Sequence, residues 1–280
     1  MRSLLAATFT ILAVALFTGG LPGVVWASGL GASSSKAAST SKAPVVFANS
    51  QIKPWGMNIE GIAQGLLIDT QYALSLETGL PHVVHLQPYA RVIHSVYSGT
   101  VDMAMLFDTH VDHRRVIRVA EITQTRVIVV GPASSPAIKS LDELKGKRVG
   151  HMRGSKYGQQ FDSATHFTRV PINTMFQALA MLRRGRIDAM AGVDVTFFWA
   201  IQQSNFNAED FSQLLVVSRP TVSLYLSKQS TRQDLIPTYR DAVARLNEKG
   251  ILKKIFGHSE TWEKMEGWSA PWQPTLAPVN

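Results

Sequence analysis

The chain has 280 residues, with 28 lysines and arginines against 20 aspartates and glutamates, and no cysteine. That length suits one large α/β domain or two lobes of about 100 to 150 residues each, and the missing thiols exclude a disulfide framework, a thiolate metal site and a lipid anchor on an N-terminal cysteine. The cationic surplus does not point to nucleic acid, because the arginines are spread along the chain without a basic block interleaved with aromatics; the one dense run, "RRGR" at 183–186, falls at an expected helix end, where cations meet the macrodipole favourably.

Arg2 precedes an apolar run from Leu4 to Phe17, and Val25-Trp26-Ala27 supplies small residues at the two positions a signal peptidase reads. Residues 1–27 are therefore expected to be a secretory signal peptide, which places the mature protein in a periplasm or outside the cell. The rival, an uncleaved anchor, is disfavoured by Gly19, Gly20 and Pro22, which break the run short of the roughly 20 apolar residues a span requires. Residues 28–43, "SGLGASSSKAASTSKA", are too polar and small to offset the entropy of ordering them, and read as a disordered linker.

From Pro44 short apolar runs alternate with amphipathic stretches. "VVFAN" (45–49) reads as a buried strand and Pro54-Trp55-Gly56 as a loop. "GLLIDTQYALSLETGL" reads as a helix with Leu67, Tyr72, Leu74 and Leu76 sharing much of one face and Gly79 ending it. "HVVHL" (82–86) is the next strand, "PYARVIHSVYSG" (88–99) a helix opened by proline and closed by glycine, and "VDMAML" a third strand. Such alternation is the grammar of a parallel sheet with crossover helices.

The grammar then repeats. "RVIVVGP" (126–132) is a strand; "SLDEL" (140–144) a short helix with Ser140 as N-cap and Glu143 as its capping-box partner; "KRVGHM" a strand. A helix begins near Tyr157, "FTRV" is a strand, "NTMFQALAMLRRG" a helix capped by Asn173, and "IDAMAG" a strand. "LLVVS" (214–218) and "VSLYLS" (222–227) are strands, followed by a helix from Asp234 to Glu248, a short one at "ILKKIF", and a tryptophan-rich tail. The phrases "IHSVYSGTVDMAML" and "LAMLRRGRIDAMAG" are both helix, glycine, then a strand opened by aspartate. This internal echo implies two similar α/β lobes and a cleft between them.

These pieces also carry a family pattern: "PW" after the first strand, "GLLID", "PYARVIHSVYSGTVDMAM", "SLDELKGKRVGHMRGS", "MLRRGRIDAM" and "LNEKGILKKIF", in order across most of residues 44–256. In this the chain resembles the periplasmic solute-binding proteins of bacterial family 3, the polar amino acid receptors of ABC transporters. The resemblance implies a two-lobed type II periplasmic binding protein fold with two hinge crossovers, lobe 1 being 44–128 plus 222–280 and lobe 2 being 129–221. It further implies a monomer that captures a small carboxylate-bearing solute, foremost an amino acid, for delivery to a membrane permease, with no cofactor. A dehydratase-like enzyme on the same fold, with His151 or Asp194 as its acid or base, and a ligand-sensing subunit of a signalling system are the alternatives.

Carried over position by position, the resemblance puts the carboxylate-binding arginine at Arg114, fifteen residues after Gly99, with Arg115 next door or a solvated surface role as the alternatives, and a ligand-facing hydroxyl at Thr109. Guanidinium suits that task, since it offers two parallel donors and stays charged. Val111 departs from the pattern, standing where the family has a second hydroxyl. On lobe 2 the resemblance implies ligand contacts from Ser155 and Arg153 in "MRGSKYG", and a partner for the ligand's ammonium in Asp194, one residue later than the usual spacing. Trp55 is placed to stack over the ligand, with core packing as the alternative, and "FFW" at 197–199 reads as helix core. His110 and His113 stand at a metal-compatible spacing about Asp112, but no third ligand is indicated, and neither a Gly-x-Ser-x-Gly nucleophile nor a phosphate loop occurs.

Overall fold

The computed structural model describes residues 43–257 apart from 213; the expected signal peptide, the linker up to residue 42 and the tail beyond 257 lie outside the described residues. The chain opens with β1 (Val45–Ser50), a small hairpin of β2 (Met57–Ile59) and β3 (Ile62–Gln64), α1 (Leu66–Thr78), β4 (His82–Gln87), α2 (Tyr89–Ser98), β5 (Met103–Phe107) and β6 (Val116–Gln124). It continues through β7 (Val127–Val130), β8 (Arg148–Met152), α3 (Gln159–Ser163), β9 (Thr168–Ile172), α4 (Met175–Arg183), β10 (Ala189–Val193), α5 (Asp194–Gln202) and β11 (Leu215–Ser218). It ends with β12 (Thr221–Ser227), α6 (Ile236–Glu248) and α7 (Ile251–Phe256).

Two five-stranded sheets result, in the orders β4-β1-β5-β12-β6 and β11-β7-β10-β8-β9. Within the first, β1 runs parallel to β4 and β5; within the second, β8 runs parallel to β10 and β9. These are the strands joined through helices, as a crossover demands. The late strand β12 returns antiparallel to β5 and pairs β6 on its other side. The chain therefore passes between sheets twice, from β6 to β7 through Thr125 and Arg126, and from β11 to β12 through Arg219 and Pro220. Each sheet with its own helices is a lobe.

Apolar side chains cover both faces of each sheet. In the first lobe Phe47, Met103, Leu224 and Leu226 meet Leu74 of α1, Tyr239 and Val243 of α6 and Ile255 of α7, while Ala104, Leu106 and Tyr225 meet Val92 and Val96 of α2 on the other face. In the second, Ile128, Val130 and Met190 pack with Leu179 of α4 and Phe197 and Phe198 of α5, and Val127, Val129 and Val149 pack with Tyr157 and Phe161. Gly99 closes α2 at φ 75°, a left-handed conformation that glycine adopts freely, and a Cβ there would lie 2.6 Å from Cβ of Gln229.

Several elements differ from the sequence expectation for identifiable reasons. The strand β6 gave no alternating signal because its buried residues, Val116, Val119 and Ile122, recur every third position, and the β12–β6 register shifts twice along their length. On α1, Leu67 and Leu74 are buried as expected, but Tyr72 and Leu76 are 36% and 66% exposed. Thr70 and Gln71 take the buried positions, since 67, 70, 71 and 74 share one helical face. Their polar atoms are satisfied there: Thr70 donates to the Leu66 carbonyl, and Gln71 accepts from Asn49 Nδ2 at 2.6 Å. Leu141–Leu144 is a 3-10 turn in which Ser140 makes no side-chain cap, and Glu143 accepts from the Lys139 amide instead. Thr174, not Asn173, caps α4 by accepting from the Gln177 amide, while the Asn173 amide donates to Gln177 Oε1.

Candidate functional site: the cleft between the lobes

Parallel strands deliver their C-terminal ends to one edge of a sheet, where an α/β protein can place a ligand. Here Ser50 ends β1, Phe107 ends β5, Met152 ends β8 and Val193 ends β10, and all four line one cavity between the lobes. The first lobe adds Ile52, Trp55, Leu67, Tyr89, Met105, Thr109 and His110; the second adds Ser155, Lys156, Tyr157, Met175 and Thr196. With the lobes in contact the cavity measures about 40 Å³. That is room for a few waters, so a larger solute enters with the lobes parted or the flexible Met105, Met152 and Met175 side chains moved aside.

Among the described residues, hydrogen bonds cross the cleft from Trp55 and from Lys156. Trp55 Nε1 donates to Thr196 Oγ1 at 3.0 Å, both residues being buried. The Lys156 amide donates to His110 Nε2 at 2.7 Å. Because an amide can only donate, His110 Nε2 is unprotonated and its proton sits on Nδ1, which faces Thr109 Oγ1 at 3.1 Å. Burial, reinforced by the Lys156 charge, lowers the His110 pKa to about 4, so the ring is neutral at ordinary pH. Tyr97 holds the preceding loop, its hydroxyl donating to the His110 carbonyl and accepting from the Asp112 amide.

The wall is aromatic. Trp55 and Phe107 meet edge to face with centroids 5.3 Å apart, and Tyr89 meets His110 the same way at 5.1 Å. Two hydroxyls of lining residues, Ser50 Oγ and Tyr89 OH, are buried without a hydrogen bond of ordinary geometry, and the Phe107 backbone lies near Tyr89 OH. Burial holds the Tyr89 phenol protonated by raising its pKa.

Of the residues expected from sequence to touch a ligand, the structure brings Trp55, Thr109 and Ser155 to the cavity. The other three lie elsewhere. Arg114 projects from the loop before β6 with its side chain 90% exposed, folded back onto Asp112, which it meets through Nε and Nη2 at 2.9 Å each. That contact holds the Asp112 carboxyl down to about 2. Arg153 is exposed and donates to Asn173 Oδ1 on its own lobe. Asp194 is fully buried at the start of α5, accepting from Arg126 Nε at 2.8 Å and from the Val195 amide at 2.7 Å. Burial raises its pKa and Arg126 opposes that rise. Asp194 and Arg126 line a second, polar cavity of about 420 Å³ beside the crossovers, with Gln124, Thr125 and Arg219.

Sequence reasoning passed over Tyr89, Phe107, His110 as a bridging group, Lys156 and Tyr157. Their signal was positional: each sits where a strand of the parallel set ends or in the segment that follows. The "FFW" segment is helix core as expected, with Phe197 and Phe198 buried in the second lobe. Among the described residues no three His, Asp or Glu side chains gather where they could hold a metal ion, and no helix is long and apolar enough to cross a membrane.

No protein-family model matches the chain, and no curated protein matches it. Solved structures do match over most of its length. An ancestral arginine-binding protein bound to arginine superposes with a TM-score of 0.63 at 19% identity, covering 77% of this chain and 97% of the other. A histidine kinase sensor domain with similarity to periplasmic binding proteins gives 0.64 at 16% identity, over 78% and 96%. The amino acid ABC transporter substrate-binding protein AbpA from Streptococcus pneumoniae, bound to L-arginine, gives 0.61 at 19% identity, over 78% and 94%. The class is thus defined by the fold: two α/β lobes joined by two crossovers, the type II periplasmic binding protein architecture. At these identities the likeness establishes the fold, and the chemistry of the cleft has to come from this chain's own residues.

Proposed function

We propose that this chain is an extracytoplasmic solute receptor that captures a small carboxylate-bearing molecule between its lobes and presents the closed form to a membrane permease. The observation that carries the reading is the cavity at the strand ends of both lobes, spanned by Trp55–Thr196 and His110–Lys156. Contacts made only when the lobes meet are what a solute must add to in order to shift an open–closed equilibrium. The amino acid receptors among its structural neighbours support the same use of the fold, and the expected signal peptide supports a periplasmic location.

Trp55, Thr109 and Ser155 are assigned to the solute in this reading, joined by Tyr89, His110, Lys156 and Tyr157. A dehydratase needs an acid or base within the cleft. Neither His151 nor Asp194, the two residues expected to fill that role, lines it. The neighbouring kinase sensor domain keeps a sensing role in view, with the same cleft and a different docking partner.

Mass spectrometry of solute released from protein purified out of its native host tests the reading, paired with small-angle scattering of solute-free and solute-bound protein. A stoichiometric small molecule that compacts the protein on return supports the receptor. A protein that carries no solute and whose scattering is unchanged by any periplasmic extract is not one.

A further inference from the structure

We propose that the solute of this cleft is a monocarboxylate with an apolar aromatic or branched body and no α-ammonium group, its carboxylate met at the mouth by Lys156 and Ser155. The inference rests on the receptor reading above and narrows it to a chemical class.

Charge balance is the first reason. Among the described residues lining the cavity, Lys156 carries the single formal charge, and neither aspartate nor glutamate is present. Of the nearby acids, Asp194 is held by Arg126, Asp112 by Arg114, and Asp162 accepts from the amides of Tyr157 and Gly158, while Asp108, between Phe107 and Thr109, is exposed and stands outside the lining. An ammonium group drawn into this space would be desolvated without a counter-charge, which is strongly unfavourable. One carboxylate, by contrast, meets one lysine. Lys156 is exposed, lines the cavity next to Ser155 in the chain, and its charge is felt by His110.

The rest of the lining describes the body. Trp55, Tyr89, Phe107 and Tyr157 present aromatic rings, and Met105, Met152 and Met175 adaptable thioethers, to whatever lies between them. A guanidinium side chain such as arginine's would find, among the described lining residues, Lys156 as the one charged group, and that one repels it.

The test is titration calorimetry of the purified mature protein against a charge-matched series: phenylacetate, 4-hydroxyphenylacetate, 4-methyl-2-oxopentanoate, L-phenylalanine, L-arginine and phenethylamine. The expected result is that at least one of the three monocarboxylates binds at least tenfold more tightly than L-phenylalanine, and that L-arginine and phenethylamine bind no more tightly than L-phenylalanine. Lys156→Met should weaken that monocarboxylate at least tenfold while Lys156→Arg keeps most of the affinity, with circular dichroism showing both variants folded. Tighter binding of L-phenylalanine, L-arginine or phenethylamine, or an affinity indifferent to Lys156→Met, overturns the ligand class and leaves the receptor standing. Silence of the whole series overturns the class as well; the receptor itself then falls only if the protein purified from its host also carries no solute.

Discussion

The indole N–H of Trp55, on the first lobe, ends on the hydroxyl of Thr196, on the second, 3.0 Å away and out of contact with solvent. This hydrogen bond exists only while the lobes meet. Thr196→Val should therefore shift the protein toward the open form, because the closed form would bury an unpaired donor at a cost of about 1–3 kcal/mol. Solute affinity should fall roughly five- to a hundredfold, with the melting temperature of each lobe little changed; calorimetry and scattering of the variant check both.

His110 makes closure sensitive to acid. In the closed form its Nε2 accepts from the Lys156 amide, and its pKa stands at about 4, against an ordinary 6.5. The open form therefore binds more protons between those values, and closure loses free energy as pH falls through the window from 6.5 toward 4, being fully supported above it. The groups that face the ring are Thr109, Tyr89, Phe107 and the Lys156 backbone, with the charges of Lys156 and Asp162 nearby. After allowance for the ring's partial exposure, solute affinity at pH 5 should be about three- to tenfold below that at pH 7. A His110→Gln variant titrated over the same range should show a flatter profile.

Arg114 is a surface residue paired with its own loop, and its removal should matter little. Arg114→Ala is expected to change solute affinity less than about twofold and stability by less than about 0.5 kcal/mol, as exposed ion pairs generally do. A loss of binding on this change would show instead that the guanidinium swings into the cleft when a solute arrives. Calorimetry of this single variant decides between the two arrangements.

Asp194 and Arg126 tie the start of α5 to the first crossover, with side chains 1% and 11% exposed. Truncating the acid breaks a buried ion pair, so Asp194→Ala should cost about 3–5 kcal/mol of stability, read as a lowered urea midpoint. If the residue instead served a ligand's ammonium, the midpoint would hold and binding alone would suffer.

Much of this architecture was legible in the order of residues. Strand and helix alternate with buried runs such as "VVFAN" and "VDMAML" because a sheet covered on both faces needs continuous apolar strands, and the repeated glycine-then-aspartate turn marks two lobes of like construction. What was hidden had local causes. The strand β6 follows a three-residue burial period imposed by two register shifts, and α1 buries Thr70 and Gln71, which look solvent-facing until Asn49 and the Val83 carbonyl are placed beside them.

By itself the sequence determined the fold class, the two-lobe plan and the segments that border the cleft, since these follow from apolar periodicity and turn chemistry, which are local properties. Only the tertiary structure decided which side chains those segments turn inward. Arg114, Arg153 and Asp194 carry the charges that a sequence reading assigns to a ligand, yet each is taken by a neighbour: Asp112, Asn173 and Arg126. A charge finds the partner that lowers its energy most, and that partner is set by distance in space, which linear spacing does not encode. What remains facing the cleft is an aromatic wall, a neutral histidine and one lysine.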